Sequence, residues 1–179
     1  MATPTHAQRF PIGEFTRPEA VTEEHRREWI GAIERLPRDL RAAVDGLTDE
    51  QLDTRYRPGG WTLRQVVHHL PESHMNCYVR FKWALTEDEP RIKDYREERW
   101  AELADRAAPI GLSLDLLEAL HARWVALLQS LGPSEWKRAF VHPESGRKEL
   151  EVNLGIYAWH GRHHLAHVTT TIEREGWRA

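Results

Sequence analysis

The sequence predicts an all-α protein, a four-helix bundle with long connections and an extended N-terminal arm. Four segments of roughly 20 residues carry apolar side chains at helical spacing, as helices do when they bury one face. Little of the chain alternates between apolar and polar residues as a half-buried strand would. A chain of 179 residues suits one domain, so we divide it into an arm, residues 1–21, and a single bundle domain, residues 22–179.

The first predicted helix spans residues 22–47 and begins at Thr22, whose hydroxyl can cap its free N–H groups. Glu23 and Glu24 favour the same start, because negative side chains interact well with the positive end of a helix dipole. Pro37 lies in the middle of this segment. Since proline lacks an N–H and its ring collides with the preceding turn, we expect the helix to kink or split there.

The second predicted helix begins at Thr62, directly after a Pro-Gly-Gly turn at residues 58–60, and runs to about residue 85. Pro71 lies within it and predicts a second kink. Residues 87–109 are rich in charge and form a connection, with some helical character at residues 95–103.

The third predicted helix spans residues 113–131, with Ser113 as its cap and a Gly-Pro pair after its end. Residues 134–150 contain a turn signal and predict a small hairpin. The fourth helix covers residues 153–175 and ends at Gly176. Because two of the connections are long, the topology need not be a simple up-down-up-down bundle. The residues of the third helix that we expect to face inward are Leu116, Leu117, Leu120, Trp124, Leu127 and Leu128.

Composition excludes several functional classes. The net charge is -3 and no stripe of lysine and arginine occurs, so we expect no nucleic-acid partner. The sequence has no apolar run of about 18 residues that would span a membrane, and its start lacks the apolar region of a signal peptide. Cys77 is the only cysteine and cannot form an internal disulfide. These features fit a cytoplasmic protein. We separately expect its partner to be a small-molecule substrate.

The most informative motif is a group of histidines in residues 159–167 (WHGRHHLAH). Residues four apart lie on the same side of a helix, so His160/His164 and His163/His167 form two possible pairs. Two neutral imidazoles one turn apart can bind a divalent transition metal when a third ligand comes from elsewhere. His160 is followed by Gly161 and Arg162, and no H-E-x-x-H motif occurs, which argues against a zincin-type protease.

The third ligand can come from the second helix, which carries His68, His69 and His74. Periodicity places His74 inside the apolar stripe, where we expect a core histidine bonded to a neighbour. His69 lies on the same-handed shoulder of its helix as His160 does on the fourth helix, and His68 is expected at the surface. The spacing allows His69 as a ligand but leaves the choice between the two late pairs open.

Taken together, these motifs resemble the DinB-like superfamily, and among its branches the YfiT-type metal-dependent hydrolases. The resemblance covers nearly the whole chain and is carried by residues 11–14 (PIGE), 58–70 (PGGWTLRQVVHHL), 73–76 (SHMN) and 159–167. It implies a four-helix bundle that binds one divalent metal per chain, zinc in the first place and nickel as the alternative, through three histidines. The residues that match the ligands of the family are His69, which precedes Leu70, and the pair His160 and His164. It also implies a cytoplasmic homodimer.

The resemblance favours an S-transferase that conjugates a low-molecular-weight thiol, such as bacillithiol, to an electrophile. In this hypothesis the metal lowers the pKa of the thiol, and the thiolate attacks an electrophilic carbon. Cys77 lies on the apolar stripe and is expected to serve the core, so the thiol would come from outside. Arg162 is a candidate for binding a carboxylate of that thiol compound.

Two alternatives remain open. A hydrolase would use water activated by the metal on an amide or ester, with Glu72, Asn76 and His163 as possible helpers by position. A non-enzymatic, metal-stabilised stress protein would need no substrate at all. Trp159 adjoins a ligand and is a candidate for the pocket wall, whereas His121 and His142 receive no role.

Overall fold

The structure is a computed structural model that describes residues 3–177, and it is predominantly helical. Four long helices form a bundle, which confirms the predicted fold class. In chain order the elements are α1 (His6–Arg9), α2 (Glu23–Val44), α3 (Asp49–Leu52), α4 (Leu63–Thr86), α5 (Glu97–Trp100), a 3₁₀ turn (Ala104–Ala107), α6 (Ile110–Ser130), α7 (Pro133–Trp136), β1 (Ala139–His142), β2 (Gly146–Glu149) and α8 (Leu150–Glu175).

The long helices are not arranged as a simple ring in chain order. Helix α2 packs against α6 and α8, and helix α4 packs against the same two helices. The long helices α2 and α4 are neighbours in the chain, separated only by the short α3, but they lie diagonally across the bundle. The segment between them passes over one end. This arrangement agrees with the expectation that long connections allow a topology other than up-down-up-down. The predicted hairpin is also present, with β1 and β2 antiparallel and Ala139 opposite Glu149.

The helix starts at Thr22 and Thr62 agree with their sequence signals, but the other two long helices begin earlier than predicted; the fourth, expected from residue 153, begins at Leu150. The Thr22 hydroxyl accepts a hydrogen bond from the His25 N–H at 3.2 Å, and Thr62 caps α4 in the same way. The predicted start of α6 at Ser113 is wrong, because the helix begins at Ile110 after Pro109. A residue before the first turn needs no N–H, so proline is tolerated there. The end predicted at Gly176 is correct, since this glycine adopts a left-handed conformation with φ of 66°.

Both internal prolines lie inside continuous helices, so the predicted split at Pro37 does not occur. The residue that would normally donate to the Ile33 carbonyl is Pro37, four positions later, and it has no N–H. Inside the bundle, packing on α6 and α8 holds α2 together in spite of the missing bond. The Ile33 carbonyl is left for a partner from another helix.

A layer of histidines separates two apolar clusters in the core. The first cluster is built around Trp29, Phe81 and Trp124, and the second around Leu40, Leu70 and Leu117. Polar side chains buried between them must find partners there, because an unsatisfied buried polar group costs about 1–3 kcal/mol. The buried or partly buried histidines of this layer are His69, His74, His121, His160 and His164.

The inward face of α6 differs from the prediction at one leucine. Leu116 is 46% exposed, whereas Leu114 and Leu117 are buried. The apolar spacing misled the prediction because the polar residue His121 occupies an inward position of the same stripe, where it is 1% exposed.

The N-terminal arm lies against α8. The Trp159 indole donates a hydrogen bond to the Gly13 carbonyl at 3.0 Å, and the ring of Phe10 lies 5.9 Å from that of His163. No finding tests the division at residue 21, which stays a prediction. Within residues 3–177, none of the helices combines the length and the hydropathy needed to cross a membrane.

Candidate metal centre

Three histidines from two helices converge at one point. His69 comes from α4, while His160 and His164 lie one turn apart on α8, and one ring nitrogen of each lies within 4.8 Å of the others. The Nε2 atoms of His69 and His160 are 3.3 Å apart. The structure thus brings together the three residues that the resemblance named. The alternative pair, His163 and His167, bonds to itself with its Nε2 atoms 3.0 Å apart and is not part of this cluster.

The chemistry and spacing of these residues fit a divalent transition metal. Two nitrogen ligands of a tetrahedral ion, each about 2.0–2.1 Å from it, lie about 3.3 Å from each other. The spacing of the His69 and His160 Nε2 atoms has this value. The Nδ1 atoms of His69 and His164 are both buried without a hydrogen-bond partner, so the surrounding protein groups alone do not satisfy these two rings. Imidazole ligands suit zinc and nickel equally, so the donor set does not select one metal.

Burial keeps the three rings in the state that metal binding requires. Desolvation lowers the pKa of His69 to about 4. Desolvation, followed by the neighbouring histidines, lowers the pKa of His160 and of His164 well below the ordinary value. All three are therefore neutral at pH 7, and a metal need not displace protons from them.

Behind His160 a chain of hydrogen bonds leads into the core. Its Nδ1 atom lies 3.3 Å from Nε2 of His74, and Nδ1 of His74 lies 2.9 Å from Nε2 of His121. The Nδ1 atom of His121 lies 2.6 Å from the Ile33 carbonyl oxygen. His74 is the bonded core histidine that the sequence predicted. His121 was missed, although a histidine in the apolar stripe of α6 and a proline four residues after Ile33 were signals for it.

A cleft of about 550 Å³ opens onto the three histidines. The Trp61 ring lies 4.7 Å from that of His69 and is stacked over His164 at 6.3 Å. Trp159, the predicted wall, instead stacks on His163 away from the cleft lining. The remaining wall comes from the loop before α4, from Ser73 on α4, from Ile156 and Tyr157 on α8, and from Tyr95, Glu97 and Glu98 in the connection after α4.

Two tyrosines in the cleft remain protonated. Burial raises the pKa of Tyr95 to about 12, although a hydrogen bond with Ser73 opposes this rise. Burial also raises the pKa of Tyr157, which interacts with the same serine hydroxyl. Both hydroxyls can therefore donate a proton or a hydrogen bond to a group beside the three histidines.

The four predicted helper residues are not among those that line this cleft. Glu72 lines a neighbouring cavity of about 460 Å³ that His69 also borders, and burial raises the pKa of this carboxyl. The Asn76 amide donates to the Glu72 carbonyl at 2.9 Å. Arg162 pairs with Glu28 at the surface at 3.3 Å, which differs from its predicted role in binding a carboxylate. His163 is engaged by His167.

Two further residues can be placed. Cys77 is buried and accepts a hydrogen bond from the Asn153 amide at 3.0 Å, and burial raises the pKa of its thiol well above the ordinary value. This supports the core role predicted for it. His68, which was expected at the surface, is buried, and its Nδ1 atom lies 2.7 Å from the Ser113 hydroxyl. The surface prediction for His68 is wrong because the connection after α4 covers this side of the helix.

Comparison with known proteins gives consistent results. The model of the DinB superfamily matches residues 32–168. A protein of Bacillus mycoides named "Putative metal-dependent hydrolase" is 54% identical over 169 residues, which is 94% of this chain and 98% of that protein. A protein of Oceanobacillus iheyensis with the same description is 54% identical over 95% of this chain and 99% of its own length. The solved structure of YfiT from Bacillus subtilis, described as "a probable metal-dependent hydrolase with an unusual four-helix bundle topology", superposes with a TM-score of 0.93 at 48% identity, covering 96% of this chain and 99% of YfiT.

Proposed function

The chain belongs to the DinB superfamily, and from this premise we propose that it is a metal-dependent enzyme that joins a low-molecular-weight thiol to an electrophile. The observation that carries the proposal is the convergence of three neutral histidines, from α4 and α8, at a substrate-sized cleft. A zinc or nickel ion held by His69, His160 and His164 would act as a Lewis acid that lowers the pKa of a thiol, so that a thiolate is present at neutral pH.

The residues of the cleft fit the remaining steps of such a transfer. A thiolate attacks carbon without help from a general base, and the three-histidine cluster contains no carboxylate. When the electrophile is an epoxide, the C–S bond forms as a C–O bond breaks, and the resulting alkoxide needs a proton. Tyr95 and Tyr157 retain their protons at neutral pH and line the same cleft, so either can supply it.

Hydrolysis is the second candidate, and the names of the relatives favour it. Water activated in the same position would attack an amide or an ester, and the leaving group would need a proton donor. The carboxylates that line the cleft are Glu97 and Glu98, both exposed and carried by the connection after α4. Among the residues that line the cleft, these two carboxylates are the candidates for a general base that accepts a proton from the attacking water.

One set of assays separates the candidates. Untagged protein loaded with zinc or with nickel is incubated with bacillithiol or cysteine and a panel of epoxides and alkyl halides, and the loss of free thiol is followed. The same protein is tested on ester and amide panels without thiol. Metal-dependent thiol consumption supports the first proposal. Hydrolysis without thiol replaces it with the second, and inactivity in both panels with metal bound leaves a metal-stabilised stress protein.

The ligand assignment is tested separately by metal content. We expect about one equivalent of metal in the wild type and in His163→Ala, and little in His69→Ala, His160→Ala or His164→Ala. His163→Ala is the matched control, because it removes a buried histidine of the same helix that bonds to His167 instead of joining the cluster. Equal metal content in all five proteins would contradict the assignment.

We also propose a small-molecule substrate, a homodimeric state and a cytoplasmic location. The cleft volume of about 550 Å³ supports the first, since ligand pockets typically measure about 300–1,000 Å³. Light scattering on the purified protein would test the dimer, and fractionation of cells would test the location.

A further inference from the structure

The Ile33 carbonyl on α2 lacks the backbone donor that it would have in a regular helix. In an α-helix this oxygen would accept the N–H of the residue four positions later, which here is Pro37 and has none. Ile33 is 1% exposed, so its carbonyl has little access to water. Nδ1 of His121 lies 2.6 Å from the oxygen. Because a carbonyl oxygen can only accept, His121 must carry its proton on Nδ1.

The direction of this hydrogen bond, from His121 to the carbonyl, fixes which ring donates in each of the next two hydrogen bonds. A neutral imidazole has one donor and one acceptor, so Nε2 of His121 accepts from Nδ1 of His74, 2.9 Å away. Nε2 of His74 must then accept from Nδ1 of His160, 3.3 Å away. The reverse polarity would direct a lone pair of His121 at the carbonyl oxygen. His160 is left with its lone pair on Nε2, the atom that faces Nε2 of His69.

We infer that His121 and His74 are positioning residues that hold His160 in the Nδ1–H tautomer and so present its Nε2 lone pair to the metal. Each long helix contributes one member: the Ile33 carbonyl from α2, His121 from α6, His74 from α4 and His160 from α8. The inference rests on the three-histidine metal centre of the proposed function. It adds a cause for the orientation of His160, namely the Ile33 carbonyl, which lies three hydrogen bonds away from it.

Two substitutions of His74 form a matched pair. In His74→Gln, one amide can donate to His121 and accept from His160, so the direction of the chain is preserved. In His74→Met, a side chain of similar length cannot donate to His121 and offers His160 only a weakly accepting sulfur. Ligand-orienting partners of this kind typically contribute about 10- to 100-fold in metal affinity. We expect His74→Met to weaken zinc binding by about that factor and His74→Gln to restore most of it.

The direct readout does not depend on metal. Nitrogen-15 NMR of the imidazole rings reports which ring nitrogen carries the proton, in metal-free and in zinc-loaded protein. We expect the Nδ1–H form for His121, His74 and His160 in both states of the wild type. In metal-free His74→Met we expect His160 to show a mixture of tautomers, and in His74→Gln the Nδ1–H form again. Circular dichroism and thermal melting check that both variants fold.

The outcomes are distinct. The Nε2–H form of His160 or of His121 in the wild type would overturn the inference, even if His74→Met failed to fold. Wild-type zinc affinity together with an unmixed Nδ1–H form in a folded His74→Met protein would also overturn it. If the wild type binds no metal at all, the proposed function fails, while the tautomers of the metal-free protein still decide whether the chain of hydrogen bonds has this direction.

Discussion

Acid should destabilise the metal-free protein steeply, well above the pH at which exposed carboxylates titrate. Burial lowers the pKa of His121 to about 4, and burial together with His163 and Arg57 lowers that of His167 to about 3. In the unfolded chain both pKa values return to about 6.5. As the pH falls below this value, the unfolded chain therefore binds protons that the folded chain does not bind. The stability due to these neutral rings is therefore fully present above about pH 6.5 and is lost as the pH falls toward their folded pKa values.

The size of the effect follows from these shifts. Between pH 7 and pH 5 the free energy of unfolding falls by about 1.8 kcal/mol through His121 and by about 1.9 kcal/mol through His167, at about 1.36 kcal/mol for each unit of pKa. His69, whose pKa is also lowered by burial to about 4, adds about 1.8 kcal/mol when no metal is bound. The sum of roughly 5–6 kcal/mol is comparable to the total stability of many domains, about 5–15 kcal/mol.

The assay is urea unfolding followed by circular dichroism at pH 7, 6 and 5, in the presence of a chelator. Between pH 6 and 5 these three rings alone should lower the free energy of unfolding by about 3.5 kcal/mol, which corresponds to roughly 2.6 protons, and His74, His160 and His164, whose pKa is lowered further, should add to this loss. His121→Phe removes one titrating ring and should reduce that slope by about 1.2 kcal/mol per pH unit, whatever its effect at pH 7. A loss below about 1 kcal/mol between pH 7 and 5, or an unchanged slope in His121→Phe, would refute the reasoning.

Three further outcomes are expected. Chelation should lower the melting temperature of metal-loaded protein, because a ligand at 100 times its Kd stabilises the folded state by about 2.7 kcal/mol; an unchanged melting curve would mean that no metal was bound. Gly155→Ala should destabilise by about 1–2 kcal/mol in denaturant titrations, since its Cβ would lie 2.9 Å from the rigid Trp29 ring, whereas Gly111→Ala has open space and should be neutral or stabilising. Glu151→Ala should cost about 1.5–3 kcal/mol in the same assay, because this 2% exposed carboxylate accepts a charge-assisted hydrogen bond from Arg26 at 3.1 Å; a loss below about 0.5 kcal/mol would contradict that value.

Local signals predicted the helices well. The caps at Thr22 and Thr62 and the glycine at position 176 are short-range features, whose effect depends on neighbours within four residues. The split considered at Pro37 does not occur, because α2 stays continuous across this residue. The cost of a missing helical hydrogen bond was offset by packing and by a donor from α6, and neither is encoded near the proline.

The ligand set shows where sequence reasoning needed help. Spacing along α8 produced two equivalent pairs, and only the resemblance selected His160 and His164. In the structure the rotation of α8 turns this pair toward His69, while the other pair bonds to itself under Tyr56, whose ring lies 4.0 Å from that of His167. Helical periodicity defines faces on one helix, but it does not say which face meets which neighbour.

By itself, then, the sequence determined the four helices, the caps at Thr22, Thr62 and Gly176, the hairpin and the presence of a histidine-rich helix, because these depend on contacts within a few residues. The diagonal placement of α2 and α4, the burial of His68 and the path from Ile33 through His121 and His74 to His160 were decided by the tertiary structure. Each of these joins residues far apart in the chain, and the direction of a hydrogen bond between two histidines is set only when a carbonyl from a third helix fixes one end.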